Sequence, residues 1–134
     1  MGPLGASARV PLAPSAESCR LARGTVGALL ERAAVDQETR DAALLLASEL
    51  ASNAIEHGGG EVLLDAHVRP DLVRIAVADA SPSPPTPRPV APDGAPDETA
   101  ERGRGLLLVA ALASRWGTEP MPHGKTVWCE IDRS

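Results

Sequence analysis

Phenylalanine and tyrosine are absent from this 134-residue sequence, and tryptophan occurs only at Trp116 and Trp128. Two aromatic side chains are too few for bases to stack on in succession, which argues against a platform for single-stranded nucleic acid. Positive charge is short as well. The net charge is −5, whereas a protein that grips phosphate backbones carries a basic stripe. No apolar run approaches the roughly 18 residues of a membrane-spanning helix, and 1–14 has neither the basic start nor the apolar middle of a signal peptide. The expectation is a soluble, cytoplasmic protein with no nucleic acid and no membrane as partner. Cysteine is scarce too: Cys19 and Cys129 lie far apart, show no metal-ligand spacing and read as free thiols in a reducing compartment. His67 and His123 do not converge either, so no zinc site is assigned.

What remains is a core of Ala, Leu and Val in a chain of single-domain length. Residues 1–7 read as a disordered lead-in and 8–134 as the domain. Ala8–Leu12 suits a short edge strand. Ser15 is placed as the N-cap of a first helix running to about Ala34, with Leu21, Val26, Leu29, Leu30 and Ala33 on its buried side. Asp36 then caps a second helix, Gln37 to His57, stopped by Gly58-Gly59-Gly60. Val62, Leu64, Ala66 and Val68 alternate, as do Val73, Ile75 and Val77, with Pro70-Asp71 as the turn of a hairpin. Seven prolines fall between Ser81 and Glu98, making about 80–102 a long functional or disordered loop. Gly103-Arg104-Gly105 opens a third helix reaching Gly117. Thr118–Met121 and Thr126–Asp132 form a second hairpin, with Val127, Cys129 and Ile131 inward. Successive hairpins with helices on one face define an α+β two-layer sandwich with a mostly antiparallel sheet.

The second helix carries an unusual stripe. In LLLASELASNAIEHGGG, Glu49, Asn53 and His57 recur every four residues and stack on one face, beside an apolar surface of Ala43, Leu46, Ala47, Leu50 and Ala54. An Asn in mid-helix has no support from intrinsic propensity, so a functional reason is indicated. His57 is read as a helix C-terminal histidine favoured by the dipole. Two nucleotide motifs fail on inspection. Gly124-Lys125-Thr126 ends like a P-loop, but Glu119 occupies the position of its first glycine and a strand pattern follows. Gly103-Arg104-Gly105 begins like a dinucleotide fingerprint whose third glycine falls on Leu108.

The combination fits better than either fragment. Glu49 and Asn53 on the central helix, Asp79 at a strand end, Gly103-Arg104-Gly105-Leu106 beyond the loop, and Gly124-Lys125-Thr126 before the last strand resemble, in order, the four sequence boxes of the Bergerat-fold (GHKL) ATPases. That group includes gyrase, heat-shock chaperones, histidine kinases and mismatch-repair proteins. The chain is most similar to the stand-alone anti-sigma factor serine/threonine kinases, and GRGLLLVAALASRWG followed by GKTVW resembles small ATP-binding regulatory proteins of actinomycetes. The resemblance spans about Ser15 to Ile131.

It implies ATP and Mg²⁺ as cofactors, with Asn53 as the metal ligand through its carbonyl oxygen and Glu49 as the catalytic base. Asp79 would accept the adenine amino group, and Thr126 would donate its hydroxyl nearby. The family's usual Gly-x-Gly after this Asp is Ala80-Ser81-Pro82-Ser83 here, with Ser81 supplying part of the polar contact. Gly103, Gly105 and Leu106 would bring open backbone N–H groups to the phosphates, and Arg102 or Arg104 would pair with the γ-phosphate. The loop of about 80–102 would be the ATP lid. The implied activity is a serine/threonine protein kinase of the anti-sigma type, regulating transcription by partner switching. Its implied partners are a sigma factor and an anti-sigma factor antagonist, with a homodimer possible in this group. The alternative is a non-catalytic ATP-binding module whose nucleotide-ordered lid gates a protein interface.

Overall fold

The computed structural model describes residues 5–57, 60–79, 109–122 and 124–133. Within these, the order is β1 (Ala6–Leu12), α1 (Glu17–Arg32), α2 (Gln37–His57), β2 (Val62–Val68), β3 (Leu72–Asp79), β4 (Arg115–Met121) and β5 (Gly124–Asp132). The five strands form one sheet ordered β1-β2-β3-β5-β4, and every neighbouring pair is antiparallel. Because β3 pairs with β5, β4 is left at the edge, opposite to β1. Both helices lie on one face, α1 over β1 and β2 and α2 over β3 and β5. The expected α+β two-layer sandwich is the observed architecture. No described helix is long and apolar enough to cross a membrane.

Alternation builds the core. Val62, Leu64, Ala66 and Val68 of β2 and Val73, Ile75 and Val77 of β3 are all buried under the helices. On α2 the buried set is Ala43, Leu46, Ala47, Leu50, Ala51 and Ala54, and on α1 it is Ala22, Val26, Leu29 and Leu30. Burial at this scale stabilises by about 25 cal/mol per Å² of apolar surface, and among the described residues it comes from aliphatic side chains and the Cys129 thiol. The helices approach closely where Gly27 faces Leu44: a Cβ at Gly27 would lie 3.6 Å from Leu44 Cδ2, an ordinary contact.

Asp36 does cap α2, its Oδ2 accepting from the Thr39 backbone N–H at 3.1 Å. The Thr39 hydroxyl, and then that backbone bond, hold the Asp36 carboxyl below its ordinary value.

Several expected boundaries move. Ala6 and Ser7, assigned to the lead-in, belong to β1 and pair with Val68 and His67. Ser15 is not the N-cap of α1. Ala16 holds that position without a side-chain bond, and the chain entering the helix is instead tied by the Ser18 hydroxyl, which donates to the Ala13 carbonyl at 2.6 Å. Leu21, expected inside, is 49% exposed, because Ala22 rather than Leu21 is in phase with Val26 and Leu29. The third helix does not reach Gly117. Helix is seen at 109–112, and β4 already begins at Arg115. Cross-strand partners explain this early start: Arg115 pairs with Glu130 and reaches its carboxylate at 2.9 Å, and Gly117 lies under Trp128.

Candidate functional site

α2 carries Asn53 on the side opposite to its Leu44 contact with α1. Leu44 and Asn53 are nine positions apart, two and a half turns, and so project about 180° from each other. Leu44 meets α1, which leaves Asn53 on the side away from that contact, whereas Glu49 stands close enough to α1 for its charge to act on the Cys19 thiol. Both side chains are half-buried at the border between the apolar face and solvent. Being one turn apart, they are separated along the axis by about 6 Å.

Chain connectivity brings this stripe to the same end of the sandwich as Asp79. α2 finishes at His57, β2 begins at Val62, and Val62 pairs directly with Asp79, the last residue of β3. The last turns of α2, the start of β2, the end of β3 and the start of β5 therefore share one end of the domain. Asp79 continues the inward series Val73, Ile75, Val77, so its carboxylate replaces an apolar side chain at the rim of the core. Its side chain is only 1% exposed. A carboxylate this deeply placed carries a large desolvation cost unless charged or polar groups answer it.

One such group is Lys125. It is the direct cross-strand partner of Asp79 on β5, and its Nζ lies 3.9 Å from Asp79 Oδ2 with the lysine side chain 12% exposed. Thr126, expected near the adenine, falls elsewhere. It pairs with Ala78, and strand alternation turns it with Trp128 to the helix-free face of the sheet. Lys125 is thus the functional candidate that motif reading passed over. Its signal was available in the sequence, since counting back by twos from Ile131, Cys129 and Val127 reaches Lys125.

The structure therefore sets Asp79 beside Lys125, places α2 with Asn53 in its last turns at the same end of the domain, and separates Thr126 from Asp79 by sheet parity. Ser81, Gly103, Arg104, Gly105 and Leu106, together with the expected lid at about 80–102, lie outside the described residues.

Two helices on one face of an open five-stranded antiparallel sheet, with a buried carboxylate at a strand end, make an α+β sandwich of a class found among ATPase domains. The comparison with family models agrees. The histidine kinase-like ATPase domain matches residues 12–131, nearly the whole chain. The chain belongs to that family. No curated protein matches it.

The donor set fits the ligand this family implies. Asp79 offers a buried acceptor suited to an exocyclic amino group, and Asn53 offers a hard oxygen suited to Mg²⁺. Among the described residues no group of three or more His, Cys, Asp or Glu side chains is placed to hold a metal. A cation here would depend on one protein oxygen completed by phosphate oxygens and water, the usual arrangement for Mg²⁺ with a nucleotide.

Proposed function

We propose that this chain is an ATP- and Mg²⁺-dependent serine/threonine protein kinase of the anti-sigma type, acting in the cytoplasm. The observation that supports the reading is chain connectivity: α2, which carries Glu49 and Asn53, ends five residues before Val62, the cross-strand partner of Asp79. Asp79 holds the adenine by its amino group and Asn53 holds the metal. Glu49, one turn from Asn53, takes the proton from an acceptor hydroxyl as its oxygen bonds to the γ-phosphorus. The bond from that phosphorus to the β-phosphate bridging oxygen breaks, and ADP leaves. Mg²⁺ supplies charge neutralisation on the phosphate oxygens.

The sequence resemblance supports partners of two kinds: a small antagonist phosphorylated on Ser or Thr, and a sigma factor held by this protein. Ser81 adds to the polar contact on the adenine side, and the Gly103-Arg104-Gly105-Leu106 segment completes the phosphate side of the proposal. The Ala80-Ser81-Pro82-Ser83 sequence, where the family has glycines, favours a second reading in which ATP binds and gates an interface without transfer.

Calorimetric titration of ATP with and without Mg²⁺, alongside γ-phosphoryl transfer to protein or water, separates these. Asn53→Ala should lose the Mg²⁺-dependent part of binding. Glu49→Ala should bind ATP within about twofold of wild type and lose transfer by about 100-fold or more. Transfer that survives Glu49→Ala removes Glu49 as the base. Binding without any transfer by wild type leaves the gating reading.

A further inference from the structure

The geometry points to Lys125 as a specificity-determining residue that reads the adenine ring beside Asp79. This assignment rests on the nucleotide reading above and deepens it.

Two facts place Lys125 there. It is the direct partner of Asp79 in the β3–β5 pairing, so both side chains rise from the same face of the sheet. Both are also withdrawn from solvent, at 12% and 1% side-chain exposure. The Nζ-to-Oδ2 distance of 3.9 Å is longer than the 2.7–3.2 Å of an N–H···O hydrogen bond. Lys125 and Asp79 are thus a donor and an acceptor set side by side at ion-pair distance.

Keeping an ammonium at this depth costs desolvation that the Asp79 carboxylate at 3.9 Å answers in part, and a Met or Thr would fill a strand position without that cost. A ligand that uses the charge offsets that cost. The order of the two groups selects the ligand. Adenine presents an amino donor next to a ring acceptor, N1, which answers an acceptor next to a donor. Guanine and hypoxanthine present the reverse, a carbonyl acceptor next to an N1–H donor. Against those bases Lys125 would face a donor and Asp79 an acceptor, and both would be left wrongly paired in a buried site. Asp79 accepts from the amino group, Lys125 donates to N1, and the two together exclude the 6-oxopurines.

The test uses the intact chain and three nucleotides: ATP, 1-deaza-ATP, which keeps the amino group but replaces N1 by C–H, and inosine triphosphate. Wild type should bind 1-deaza-ATP about tenfold or more weakly than ATP, the effect of losing one hydrogen bond to a charged donor. Inosine triphosphate should bind more weakly still. Lys125→Met keeps an unbranched stem without the ammonium and should bind ATP and 1-deaza-ATP within about twofold of each other. Lys125→Arg keeps a donor and should retain a preference for ATP. Equal binding of ATP and 1-deaza-ATP by wild type overturns the assignment without need of any variant. So does a full ATP preference retained by Lys125→Met. Failure of wild type to bind any of the three nucleotides overturns the nucleotide site itself, and Lys125's role with it.

Discussion

Gly117→Ala is the substitution whose cost is most directly worked from the structure. A Cβ at this position would stand 2.9 Å from Trp128 Cζ2, 3.1 Å from Cε2 and 3.2 Å from Nε1. Carbon atoms in favourable contact are about 3.5–4.0 Å apart, so the indole would have to retreat by roughly half an ångström or more. It is not free to do so. The Arg74 guanidinium lies over the same ring, 4.7 Å from its centroid, and Arg74 is itself held by Glu130 at 2.9 Å. Overpacking of this kind costs about 1–3 kcal/mol.

Thermal and urea unfolding followed by far-UV circular dichroism should show Gly117→Ala destabilised in that range. In a Trp128→Leu background the ring is gone, and the same substitution should cost less than about 0.5 kcal/mol, the usual scatter for independent sites. A Gly117→Ala protein as stable as wild type would refute the reasoning. So would an undiminished cost in the Trp128→Leu background, which would put the penalty in the backbone rather than in the indole.

Two further perturbations read other parts of the sheet. Arg115 bonds Glu130 and Asp132 and holds both carboxyls below their ordinary values, for Glu130 with a smaller contribution from Arg74. A folded pKa below the unfolded one adds stability above the unfolded pKa that is lost as pH falls through the folded one. Arg115→Gln should therefore be less stable than wild type near neutrality and should lose less stability on acidification below about pH 5, with the gap narrowing in high salt. Parallel acid-unfolding curves for the two proteins would remove Arg115 as the cause. The Cys129 thiol is pushed up to about 12, chiefly by burial, whereas Cys19 is half-buried and raised by partial burial and then by the negative charge of Glu56 and Glu49. A thiol reagent at neutral pH should modify Cys19 first and Cys129 only as the protein unfolds; equal rates in the native protein would contradict its burial.

The parts of the fold that were legible in the sequence are those where one physical pattern acts alone. β2 and β3 alternate without interruption, and every residue their pattern turns inward is buried. α2 is bracketed by Asp36 and three glycines, and its bounds follow from the cap. Where two patterns compete, reading fails. Leu21 is larger and more apolar than Ala22, but helix phase decides burial, and phase favours Ala22. The stretch Arg115–Gly117 looks like a helix end closed by glycine. It is strand because pairing with Glu130 and Trp128 is long-range and leaves no trace in the local sequence. Ser15 lost the N-cap for a related reason: the start of α1 is tied by Ser18 to Ala13, a bond that positional preference for serine does not anticipate.

The site divides along the same line. Glu49 and Asn53 are fixed by helix periodicity, and the stripe they form is where the sequence put it. At β5, motif and periodicity disagree. Motif order named Thr126 because a hydroxyl is the expected polar group there, while strand alternation turns Thr126 to the open face and Lys125 to Asp79. Alternation is the stronger constraint, since a one-residue shift would turn Val127, Cys129 and Ile131 out of the core and Trp128 and Glu130 into it. Burying a carboxylate and an indole in place of three aliphatic or thiol side chains would cost several kcal/mol, more than any single polar contact at the strand's end returns. The identity of the residue facing Asp79 is thus set by core packing several positions away, and it is a cation.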